Sequence, residues 1–130
     1  MWFGVVTLFP DMIRACVKEG VFGRALSAGL LELDVENPRD YATDRHRTVD
    51  DRPYGGGPGM LMKIQPLEEA LGRLRSKAPE GVRTVFLSPQ GRPMNHALLQ
   101  QAAASEGWVF ICGRYEGVDE RFIEAEVDEE

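Results

Sequence analysis

Three short apolar runs limit what this sequence can fold into: MWFGVVTLF at residues 1–9, VRTVFL at 82–87 and WVFIC at 108–112. Each is too short for a core helix and shows no polar alternation, so each reads as a strand covered on both faces. From about residue 64 the order is helix, strand, helix, strand, and a glycine-containing loop follows each strand. That alternation is the pattern of a parallel α/β sheet with right-handed crossovers. In such a sheet, ligands sit beyond the carboxyl ends of the strands. The loops SPQGRP and GRYEGVDER leave those ends here, and they draw attention before any motif is sought.

The remaining elements follow from start and stop signals. PDMIRACVKEG predicts a short helix, with Pro10 in its first turn and Gly20 at its end. VFGRALSAG predicts a second, closed by Gly29, and LLELDVEN alternates as a strand with one wet face. Pro66 opens a helix whose Leu67, Ala70, Leu71 and Leu74 form one apolar stripe. Asn95 caps the helix HALLQQAAASEG, and VDERFIEAEV can form a last one. Between Pro38 and Lys63 no period survives, which predicts a long structured loop of the kind that is commonly functional.

A chain of 130 residues fits one domain, and 43% hydrophobic with 28% charged residues marks it as globular. No apolar run reaches the length of a membrane span. No basic segment precedes the first one, so a signal peptide is not expected. Cys16 and Cys112 form no CxxC pair and read as reduced, mostly buried residues of a cytosolic protein. The net charge of −6 lies wholly in the last 18 residues, which hold eight carboxylates and two arginines. Residues 1–112 balance at 13 of each sign, so a nucleic-acid partner stays open.

The stretch YGGGPGM at 54–60 holds four glycines and a proline at the five positions 55–59. It is not a P-loop, because Met60 and Leu61 stand where Lys and Ser or Thr would, and no strand runs directly into it as a dinucleotide fingerprint requires. No Cys or His stands at metal-ligand spacing, and no GxSxG elbow is present. Asp50 and Asp51 beside Arg52 can be read as an acid/base or magnesium group, or as a plain solvated face. Arg45, His46, Arg47 and Arg52 precede the glycines. Guanidinium groups bind phosphates bidentately and bare backbone can approach a base or ribose, so the pairing suits a nucleotide or nucleic-acid substrate. The two strand-end loops admit two readings, ligand-binding loops or ordinary strand-to-helix turns.

LFPDM, NPRDYATDRHRTVDDRPYGGGPGMLMK, FLSPQGRP and CGRYEGVDERFIE together resemble the bacterial tRNA (guanine-N1)-methyltransferases, nearly end to end. The resemblance implies an α/β fold of the SPOUT class, a parallel sheet flanked by helices with a trefoil knot. The implied reaction is methyl transfer from S-adenosylmethionine to N1 of the guanine 3′ of the anticodon in tRNA, by a cytoplasmic homodimer. It also implies that Phe86 (often Tyr in the family), Leu87, Ser88, Pro89 and Gly91 form one cofactor loop. Gly113, Arg114, Tyr115, Glu116 and Gly117 form a second, with Glu116 facing the positive methionine end. Arg45, His46, Asp50, Gly55, Gly56, Gly57, Pro58 and Gly59 fall on the substrate side, where bare backbone leaves room for a flipped-out base.

Family members continue where this sequence ends at Glu130, into a third cofactor loop, a linker and a tRNA-binding domain. The aspartate that takes the guanine N1 proton lies in that continuation. The expectations are therefore a domain over 1–130 cut before the third loop, an incomplete knot, a solvent-facing acidic end and no turnover by these residues alone. The alternative is an inactive binding or dimerisation module of the same fold. A generic nucleotide-binding α/β domain would require the motif matches to be coincidence.

Overall fold

A computed structural model describes residues 1–130. Its centre is a four-stranded, all-parallel sheet of β1 (Trp2–Val6), β2 (Glu32–Glu36), β5 (Arg83–Phe86) and β6 (Gly107–Ile111), in the order β2-β1-β6-β5. Two helices, α1 (Pro10–Cys16) and α2 (Gly20–Ser27), connect β1 to β2. Helix α4 (His96–Ala103) connects β5 to β6, and Asn95 caps it as expected, accepting from the Leu98 N–H at 2.9 Å. Helix α3 (Ile64–Arg75) precedes β5, and α5 (Glu120–Glu126) follows β6.

Strand alternation sorts the side chains onto two unequal faces. Trp2, Val6, Val109, Ile111 and Phe86 point to one side, where Leu67, Ala70, Leu71 and Leu74 of α3 and Phe122 and Ile123 of α5 close over them. This is the core. At ~25 cal/mol per Å² of apolar area, each of the Val, Leu, Ile and Phe side chains among them contributes roughly 1.5–3 kcal/mol. The opposite face carries Phe3, Trp108 and Phe110, all only half-buried. Phe3 stacks on Phe110 at 6.2 Å and meets Phe22 of α2 at 6.4 Å. At the edge of the core face, Trp2 Nε1 donates to Asp34 at 2.8 Å and Lys77 pairs with Asp34 at 3.0 Å.

Several expectations need correction. Helix α1 stops at Cys16, and Gly20 (φ +66°) opens α2 rather than closing α1. Helix α3 begins at Ile64, two residues before Pro66; proline is tolerated there because the first four helical N–H groups have no intrahelical acceptor. Cys16 is exposed, and only Cys112 is partly buried. The loop from Pro38 to Lys63 has its own order: a 3-10 turn (Pro38–Tyr41) and a two-residue antiparallel ladder of β3 (Asp50–Asp51) with β4 (Leu61–Met62).

The acidic end departs furthest from expectation. Instead of facing solvent, residues 128–130 run parallel beside β5, with Asp128 N–H donating to Thr84 and Phe86 N–H to Glu129, both at 2.9 Å. The carboxylates of Glu126 and Glu129 find Arg75, Arg83 and Arg92. Those arginines lie far away in sequence, so nothing local to the acidic end marks them as its partners.

Candidate functional site

Because β1, β6 and β5 are neighbours and parallel, the loops after them emerge side by side. The Cys112 N–H donates to Val6 at 2.9 Å and the Leu87 N–H to Ile111 at 3.2 Å, carrying the sheet one residue into each loop. The Arg114 guanidinium lies over the Phe9 ring at 5.7 Å, linking the β6 and β1 loops. Gly113 lies against Phe86, and a Cβ on it would stand 2.9 Å from the ring. Gly113→Val would therefore press on the buried ring of Phe86.

The glycine-rich loop arrives from the other direction. Its tip, with Tyr54 fully exposed and Gly55, Gly56 and Gly57 surrounded by open space, projects beyond β3 and β4. Its second half docks on the β6 loop. The Glu116 N–H donates to Met60 at 3.0 Å, the Met62 N–H to Gly117 at 2.9 Å and the Asp119 N–H to Met62 at 3.2 Å. Gly59 sits at φ +85°, and a Cβ there would overlap Glu116 Cγ. Glycine is needed at 59 on two counts, left-handed backbone and close approach. Gly59 and Glu116, read as substrate side and cofactor side respectively, are thus in contact.

The arginines separate. Arg47, at φ 51°, pairs with Asp40 at 2.9 Å and donates to the Arg39 carbonyl, while Arg39 donates to the Arg47 carbonyl at 2.9 Å. It is a loop brace. Arg45, His46 and Arg52 are exposed, and their side chains make no hydrogen bond or ion pair. Asp50 is half-buried in the ladder opposite Met62. Arg45, His46 and Pro58 make no hydrogen bond or ion pair to Gly113–Gly117.

Ser88, Pro89 and Gly91 line an apolar cavity of about 710 Å³ beneath α4, with Phe3, Leu98 and Phe110 on its far walls. Phe86 and Leu87 line it as well; Gly113 does not. The two loops are neighbours, but Pro89 and Gly113 do not share this crevice. The backbone N–H groups of Ser88, Gly113, Arg114 and Tyr115 have no intramolecular acceptor. Such groups can hydrogen-bond a ligand that brings its own donors and acceptors. An Arg121 hydrogen bond holds the Asp119 carboxyl below its usual range, and burial pushes the Cys112 thiol up. No three His, Cys, Asp or Glu residues stand together as a metal-binding group. Sequence reasoning missed Phe9 and the Arg92–Glu129 pair, since each depends on contacts between distant segments.

A parallel sheet flanked by helices, with its strand-end loops gathered at one edge, defines an α/β domain, here with a glycine-rich loop clasped to one of those strand-end loops. More specifically, the family model described as tRNA (Guanine-1)-methyltransferase TrmD matches residues 1–130, and the chain belongs to that family. A tRNA (guanine-N(1)-)-methyltransferase of Hahella chejuensis (strain KCTC 2396) is 58% identical over all 130 residues, which cover 50% of that relative. One from Photorhabdus laumondii is 56% identical, with 52% of it covered. The crystal structure of tRNA (m1G37) methyltransferase from Aquifex aeolicus superposes with a TM-score of 0.84 at 32% identity, covering the whole chain and 60% of that protein. The chain spans about half the length of the curated relatives it matches.

Proposed function

We propose that this chain provides the cofactor- and guanine-binding part of a tRNA (guanine-N1)-methyltransferase that uses S-adenosylmethionine. The observation carrying the reading is the clasp between the glycine-rich loop and Gly113–Gly117, which sets bare backbone against a strand-end loop with unpaired N–H groups. S-adenosylmethionine fits these residues. Unpaired N–H groups at Ser88, Gly113, Arg114 and Tyr115 suit a nucleoside, and the Glu116 carboxylate suits a sulfonium cation. When bound, the cofactor supplies an electrophilic methyl group.

Phe86, Leu87, Ser88, Pro89 and Gly91 would hold it on one side, and Gly113, Arg114, Tyr115, Glu116 and Gly117 on the other. On the substrate side, Arg45 and His46 present unpaired polar groups to the tRNA backbone. Asp50 and the segment Gly55, Gly56, Gly57, Pro58 and Gly59 frame the target guanine, which has to leave its stack to be reached. These residues position the base and keep water away, and positioning alone can account for several kcal/mol of a displacement barrier. The N1 proton goes to an aspartate outside the 130 residues. The same reading includes a homodimer, the SPOUT trefoil knot and a cytoplasmic setting; no helix is long and apolar enough to cross a membrane.

The test is methyl transfer from labelled S-adenosylmethionine to an unmodified tRNA transcript by the full-length protein, with the product nucleoside identified. The expected product is 1-methylguanosine at the position 3′ of the anticodon. Residues 1–130 expressed alone should give no turnover, since general-base help is worth roughly 100- to 10,000-fold. Methylation at another atom or another nucleotide would overturn the assignment.

A further inference from the structure

The segment 128–130 is tied to the loop Leu87–Gly91 more tightly than an edge strand requires. The Phe86 N–H, just before the loop, donates to Glu129 at 2.9 Å, and the Arg92 N–H, just after it, donates to Glu130 at 3.1 Å. Both ends of the loop are therefore fixed to two successive carbonyls. Between them the Glu129 carboxylate turns inward and is 14% exposed. One oxygen takes the Arg92 guanidinium, and the other lies 3.2 Å from Arg83 without a hydrogen bond in line. Arg83 is itself held over the Trp108 ring at 5.9 Å. A Cβ on Gly91 would run into the Glu130 carbonyl group, so the loop and the segment meet backbone to backbone.

We propose that Glu129 is a positioning residue which, through Arg92 and Arg83, holds the Leu87–Gly91 loop in its cofactor-binding shape. The inference rests on the proposed assignment of that loop to the cofactor. Both arginines are about half-exposed, so water takes them over when the carboxylate is removed and global stability changes little. What is lost is the fixed spacing of the loop ends. The penalty then falls on binding at that loop and not on the chemical step.

The experiment compares full-length wild type with Glu129→Ala, Arg92→Glu and the double exchange Arg92→Glu/Glu129→Arg. Glu129→Ala should raise the KM for S-adenosylmethionine about tenfold while kcat and the tRNA KM stay within about twofold. Hydrogen exchange at the Arg92 amide should speed up in the same variant. The double exchange should recover most of the cofactor KM lost in Arg92→Glu. An unchanged cofactor KM in Glu129→Ala, or a uniform loss of kcat with both KM values, overturns the proposal while an active wild type leaves the functional assignment standing. An inactive wild type overturns that assignment instead; the exchange rate at Arg92 still reports on the latch.

Discussion

Two side chains show how single positions carry the design. Gly59 meets Glu116 where the glycine-rich loop clasps the β6 loop, so Gly59→Ala introduces both a clash and a left-handed backbone cost of roughly 1–2 kcal/mol. Glu116→Ala removes the clash and leaves the backbone cost. A double-mutant cycle on stability should therefore show Gly59→Ala costing less in the Glu116→Ala background, and strict additivity would show that the two residues do not touch. Tyr41 gives the pH-dependent case. Burial and a 2.7 Å hydrogen bond to Glu36 push its phenol up to about 12 from 10.0. A raised pKa means that the folded state keeps the proton longer, so this stabilisation is full below pH 10 and is lost as pH rises towards 12. Tyr41→Phe should be less stable by about 1 kcal/mol at pH 8. Denaturant titrations should show that deficit narrowing by pH 11, and a constant deficit would contradict the account. The Gly59–Glu116 pair was not legible in the sequence, because the two lie 57 positions apart and nothing local marks them as partners.

At the scale of elements, the apolar runs placed β1, β5 and β6 and Asn95 caps its helix, while the signals at Gly20 and Pro66 misplaced a helix end and a helix start. These features are local, and buried strands and caps act within a few residues. The β3–β4 ladder was not legible because two residues a side are too short to show a period, and the 128–130 segment because its partner strand lies far away in sequence. The arginine-bearing loop is the element where sequence gave three equivalent candidates and structure separates them. Arg45 and Arg52 are unpaired, while Arg47 braces the loop against Asp40. Replacing Arg45 or Arg52 with Ala should lower the salt slope of tRNA binding by about 1 each. Arg47→Ala should weaken the loop and leave the slope nearly unchanged. Equal slopes for wild type, Arg45→Ala and Arg52→Ala would return both residues to the solvated surface.

Over the whole molecule, one face of the sheet is packed and the other is half-open, and the loops after β1, β5 and β6 collect at a single end. That the loops after β1, β5 and β6 share one edge was readable from the parallel order alone, because strand direction fixes where each loop emerges. What the order could not supply was the clasp of the glycine-rich loop or the apolar cavity beneath α4. The central claim is that Leu87–Gly91 and Gly113–Gly117 together hold an adenosine-containing cofactor. Hydrogen–deuterium exchange of the full-length protein with and without S-adenosylhomocysteine tests it most directly. The account predicts slower exchange in both loops, at Ser88 and at Gly113–Tyr115 above all, with α3 unaffected. Protection confined to other segments, with both loops exchanging as in the free protein, would contradict it.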